Sequence, residues 1–172
     1  MDVFSFASEI VVPTVKEALS DRGDRRRVYI ACIVTYSLID YIAVAINTDK
    51  RRVCDSVRDV CTPEFEVVQG VCNGTKHAGN KWGFPFKPGS DRDVPVLYWD
   101  VPDAGWGQAR WGVPGLSIQR EGKELLLDTC LQTLLLTLCN LHPSQLENVD
   151  LSFLDKVVVA RASDTKSRSR TT

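Results

Sequence analysis

The chain has 172 residues, long enough for one domain with a full hydrophobic core. Apolar residues make up 44% and charged residues 25%, which excludes a disordered or low-complexity polymer. A formal charge of -1 excludes a global field for nucleic acid or an anionic membrane, so any such binding needs a local patch.

In residues 4–21, Phe6, Ile10, Val11 and Val15 recur at helical spacing and Ala18 with Leu19 continues the stripe. Pro13 lies inside this run, so it either kinks the helix or starts a shorter one. Asp21 to Asp24 reads as a turn, with Asp24 placed to cap a second helix over residues 25–46. That second helix is almost continuously apolar from Val28 to Ile46, and a helix apolar all round is expected at the centre of a bundle. It is also about long enough to span a bilayer. Asp40 near its middle argues against a span, because a carboxylate at the bilayer centre costs about 2.5–3.5 kcal/mol. Basic clusters on both sides also remove any orientation signal.

Asn47-Thr48-Asp49 breaks this helix and caps a third over residues 50–61, whose apolar side carries Val53, Val57, Val60 and Cys61. Thr62 then caps a fourth helix ending near His77, with Pro63 at its first position and Glu64 favourable to the dipole. Its spacing predicts Phe65, Val68, Cys72 and Thr75 on the buried face and Gln69, Asn73 and Lys76 on the polar one.

From residue 78 to 115 Gly, Pro, Trp and Asp dominate, the composition of loops with short strands. Residues 94–101 are strand-like, with Pro95 favouring an edge. Residues 116–127 read as a hairpin turning at Glu121-Gly122. Asp128 is placed to cap a last helix over residues 129–141, and Leu131, Leu134, Leu135 and Leu138 on an exposed face of it would suit a homodimer. Residues 146–160 can dock as a short helix and a strand, and the basic tail 161–172 lacks an apolar pattern and is expected to be disordered.

The expected architecture is therefore mainly α. It is an antiparallel bundle of four to five helices over residues 1–160, with a small antiparallel β-hairpin or three-stranded insert, about 94–127, between the fourth and last long helices.

Six cysteines all lie in apolar helical patterns, where a free thiol behaves as a small hydrophobe. The N-terminus lacks the basic and apolar stretch of a secretory signal, so a reducing cytoplasm is the expected compartment. No Cys-x-x-Cys pair exists and only two histidines are available, so neither a zinc site nor another metal or cofactor is expected.

The chemistry concentrates in Asn73, Lys76 and His77. The third and fourth helices have almost no linker, so they should run antiparallel. This brings Asn73, Lys76 and His77 beside Lys50, Arg51 and Arg52, with Asp40 about one and a half turns from the same end. Such convergence of cations suits a phosphate-bearing ligand, RNA above all. Each group also has a plainer explanation. Lys76 and His77 meet the negative end of a helix dipole, and Asp40 needs an Arg, Lys or tyrosine partner. If Asp40 instead orients His77, then His77, Lys76, Asn73 and Asp40 form an acid–base set. Trp82, Trp99, Trp106 and Trp111 interleave with Lys81, Lys87, Arg92 and Arg110. They can stack bases or pin the loop region to the core.

The order of elements resembles a group of small bacterial and phage helical-bundle proteins, mostly uncharacterised, through Asp40-Tyr41, Asn73-Gly-Thr-Lys76-His77, the Glu121-Gly122 turn and Asp128. More distantly it resembles HEPN domains, whose active members cleave RNA as dimers using an Arg with four to six residues between it and a His. Counting back from His77, those positions hold Cys72, Val71 and Gly70, and the nearest upstream arginine is Arg58. The resemblance thus implies a non-catalytic HEPN-like module binding RNA or a protein partner through a basic rim. The alternative is a metal-independent ribonuclease centred on His77.

Overall fold

The structure is a computed structural model and describes residues 1–76, 86–96 and 113–154. The protein is mainly helical, with a small three-stranded antiparallel sheet between the fourth and fifth helices.

The first rod runs through α1 (Val3–Phe6), a π-turn (Ala7–Val11) and α2 (Val12–Ser20). Asp2 caps it by accepting the Ser5 N–H at 2.7 Å. Pro13 has no N–H to donate and its ring crowds the carbonyl four residues back. The chain answers with the π-turn just before it, in which the Val12 N–H bonds the Ala7 carbonyl. The Ile10 carbonyl takes the Thr14 hydroxyl at 2.6 Å. Pro13 is therefore accommodated by widening the helix.

Asp24 caps α3 (Arg25–Ala45), accepting the Arg27 N–H at 3.2 Å. Asn47, at φ 51°, ends it, and the Thr48 N–H closes back on the Ala43 carbonyl at 2.9 Å. α3 is long and apolar enough to cross a membrane by length and composition. Its inner faces pack on α2, α4 and α5, while Arg26, Ile30, Asp40 and Val44 are exposed.

α4 (Lys50–Lys76) is broken at Cys61, whose φ of -138° and ψ of 59° are not helical. Cys54 and Gln69 are fifteen residues apart, a span of about 22 Å in a straight helix. Yet the Tyr36 hydroxyl lies 3.9 Å from the Cys54 sulfur and 2.8 Å from the Gln69 amide nitrogen. Nearer the break, Arg58 stacks over the Phe65 ring at 5.0 Å and reaches Glu66 at 3.9 Å. The two arms of α4 therefore fold toward each other, as the short connection predicts. Thr62 does not cap the second arm. Its hydroxyl turns back to the Arg58 carbonyl at 2.6 Å, and Cys61 makes the break.

The sheet has the order β1 (Arg92–Val96), β2 (Val113–Arg120), β3 (Lys123–Leu126). Asp93 faces Leu116 in one ladder and Ile118 faces Leu125 in the other. Glu121 at φ 51° and Gly122 at φ 76° make the two-residue turn that matches strand twist. Leu116 and Ile118 carry the sheet into the helical core.

α5 (Leu127–Leu141) and α6 (Pro143–Leu146) complete the bundle. Two sequence expectations fail here. Leu131, Leu134, Leu135 and Leu138 are each 0% exposed, so the leucine face is core and offers no dimer surface. α5 is well enclosed, with only Asn140 and Leu141 exposed. Asp128 is not the cap either. It lies inside α5, buried, paired with Arg22 from the α2–α3 turn. Beyond α6 the chain docks on α2, where Lys16 bonds Asp150 at 3.1 Å and sits over the Phe153 ring. The expected strand after residue 154 and the basic tail 161–172 lie outside the described residues.

Candidate functional site

The bend in α4 determines what surrounds its ends. Lys50, the first residue of the first arm, lies against α3, and both Asp40 oxygens approach its Nζ, at 2.8 and 2.9 Å. The same ammonium sits 4.7 Å above the Tyr36 ring. Asp40 is exposed, and its partner is a lysine of the neighbouring helix.

Beneath this pair lies a semi-polar layer. Tyr36 is buried, and burial pushes its hydroxyl pKa upward against the opposing Gln69 hydrogen bond. Cys72, on the second arm, is 1% exposed. Burial pushes its thiol up. Lys76 and Lys50 pull it down, and Asp40 adds to the rise. Cys72 is inert as a nucleophile, since a thiolate there is desolvated. Lys50 over the Tyr36 ring and Gln69 on the Tyr36 hydroxyl bring the start of α4 and its second arm to one residue of α3. The five cysteines other than Cys72 are buried and free as well.

Asn73 is half-buried, and Lys76, Arg51 and Arg52 are exposed. Thr75, expected on the apolar side, is exposed, its hydroxyl returned to the Val71 carbonyl at 2.7 Å. Among the described residues no carboxylate stands within ion-pair distance of Arg51, Arg52 or Lys76. His77 lies outside the described residues, as do Trp82, Trp99, Trp106 and Trp111. The described residues hold no cluster of His, Cys, Asp or Glu able to ligate a metal.

A second polar centre was not legible in the sequence. Asp91, just before β1, is buried and accepts from the Tyr29 hydroxyl and from Arg25 Nε at 2.8 Å. The Gly89 N–H donates to the Tyr29 oxygen at 3.0 Å, and Arg25 also reaches Asp93 at 3.1 Å. Desolvation first, then the Asp91 bond, raises the Tyr29 pKa to about 12. Phe86 packs edge-on against Tyr29 and lies on Gly74 of α4. This centre ties the approach to the sheet onto α3 and α4. Its groups are all engaged with one another, which marks it as a fastening. Asp91 lies more than sixty residues from Arg25 and Tyr29 in sequence, so no local pattern could reveal it.

Compared with known proteins, the chain matches no family model, no curated protein and no solved structure.

Proposed function

We propose that the chain is a non-catalytic, HEPN-like helical-bundle module that binds RNA through the rim formed by Lys50, Arg51, Arg52 and Lys76. One observation carries this reading. The bend in α4 folds its two arms together around Tyr36, with Lys50 over the ring and Gln69 on the hydroxyl, while Asp40 is neutralised by Lys50 and no described carboxylate pairs with Arg51, Arg52 or Lys76. The helix dipole does not account for the charges at the start of α4. Three cations occupy its first turn, where the dipole is positive and acidic residues are favoured. An anionic ligand compensates such an arrangement. The six free, buried cysteines fit a reducing, cytoplasmic compartment.

The nuclease alternative draws no comparable support. Asp40, the residue that would orient His77, holds Lys50 instead. The test is binding of a labelled single-stranded RNA, followed by fluorescence anisotropy, to wild type and to the Arg51→Glu/Arg52→Glu double variant. The charge reversals should weaken binding at least tenfold. Equal affinity in both proteins rejects the rim and leaves a protein partner as the ligand class to pursue.

A further inference from the structure

At the bend of α4, away from the rim, Arg58, Glu66 and the hairpin's Arg120 meet through charge. Arg58 on the first arm, hydrogen-bonded to Asp55 at 2.8 Å, also lies within ion-pair distance of Glu66 on the second, at 3.9 Å. Arg120, the last residue of β2, pairs with the same Glu66 carboxylate and donates from Nη1 to the Pro63 carbonyl at 3.4 Å. Pro63 follows the broken residue Cys61 by two positions, so the hairpin grips the bend itself. Arg58 also stacks over Phe65 of the second arm. The side chains are partly shielded, at 36% exposed for Arg58, 27% for Glu66 and 15% for Arg120, so water weakens the pairs less than at an open surface.

We infer that Glu66 is an ionic bolt: bridging Arg58 and Arg120, it holds the two arms of α4 closed and so sets the separation of Lys50 from Lys76 at the rim. The inference rests on the RNA-binding reading for its consequence, but not for its geometry. The geometric argument is one of leverage. The arms diverge from Cys61, and both ends of the rim are more than ten residues from that break. A small opening at Glu66 therefore becomes a larger one between Lys50 and Lys76. Cations moved apart no longer share one stretch of backbone phosphates, and their joint attraction falls with distance. The hairpin thereby regulates a site that it does not touch. Glu66 is a positioning residue in this scheme.

The sign of one substitution separates this from simple electrostatics. Glu66→Gln removes a negative charge and keeps the shape. If only net charge mattered, RNA would bind more tightly. The bolt predicts weaker binding, by about threefold, the scale of a partly exposed ion pair. The second readout needs no RNA: energy transfer between fluorophores on non-canonical residues at Val44 and Thr75, both helical, exposed and neither a rim cation. Transfer should fall in Glu66→Gln and in Arg120→Met, which cuts the hairpin link alone. Should Glu66→Gln fail to fold, the Arg120→Met distance decides. Unchanged transfer in the folded variants overturns the bolt, whatever RNA does. Changed transfer with no RNA binding by wild type upholds the bolt and rejects the RNA reading.

Discussion

Replacing Gly74 by alanine tests the packing between the end of α4 and the sheet's approach. In an exposed helix the change would stabilise by about 1 kcal/mol, because glycine has the larger entropy to lose. Here the new Cβ would fall well inside contact distance of the Phe86 carbonyl oxygen and 3.0 Å from Phe86 Cδ1. The oxygen belongs to the backbone and cannot rotate aside. The turn that carries it is held by the Ser90 N–H to Lys87 carbonyl bond at 2.9 Å, the Gly89 bond to Tyr29 and the buried Asp91. Overpacking a buried site costs about 1–3 kcal/mol. Offset by the helical gain, the net loss is about 0–2 kcal/mol, or up to roughly 8 °C in Tm at this chain length. Urea denaturation followed by circular dichroism measures it, with Thr75→Ala, exposed on the next residue, as a control within about 0.5 kcal/mol. Hydrogen exchange should show residues 86–91 losing protection first. A Gly74→Ala protein more stable than wild type would refute the close approach of Phe86.

Asp128→Asn leaves the Arg22 guanidinium facing a neutral amide in a buried setting, and should cost about 3–5 kcal/mol in urea. The double change Arg22→Met/Asp128→Leu should cost less than the single one, and a larger loss in the double would contradict the buried pair. Tyr29, raised to about 12 by desolvation and its Asp91 bond, keeps its proton in the folded state after the unfolded chain has lost it. Its contribution is complete below about pH 10, the ordinary tyrosine value, and is lost as pH rises toward 12. Tyr29→Phe should flatten the fall in stability over that window, and an identical slope in both proteins would show the phenol to be exposed.

The parts of the fold legible in the sequence are those decided within a few residues. Asp24 at a cap, Asn47 in a left-handed turn and the Glu121-Gly122 hairpin each follow from short-range bonds or from φ values few residues adopt. The antiparallel arms of α4 were readable because Thr62-Pro63 interrupts two apolar periodicities with no linker between them. The expectations that failed turned on distant partners. Asp128 resembles a cap in sequence, but Arg22, 106 residues away, draws it into the core. The leucines of α5 resemble an exposed face because periodicity reports how apolar a stripe is, not how many neighbours cover it. Asp40 interrupts an apolar run, and helical geometry turns it outward, where Lys50 meets it. Near the candidate site, the folding together of the two arms of α4 was foreseen, whereas the Arg58–Glu66–Arg120 chain across the bend was not. It joins a helix to a hairpin more than fifty residues away.

The salt dependence of RNA binding tests the rim most directly. Three cations without a described carboxylate partner, Arg51, Arg52 and Lys76, predict that the logarithm of the association constant falls with the logarithm of salt concentration at a slope of about -2 for a single strand. The Arg51→Glu/Arg52→Glu variant should lose most of that slope. Affinity that stays constant across the salt series would contradict the account.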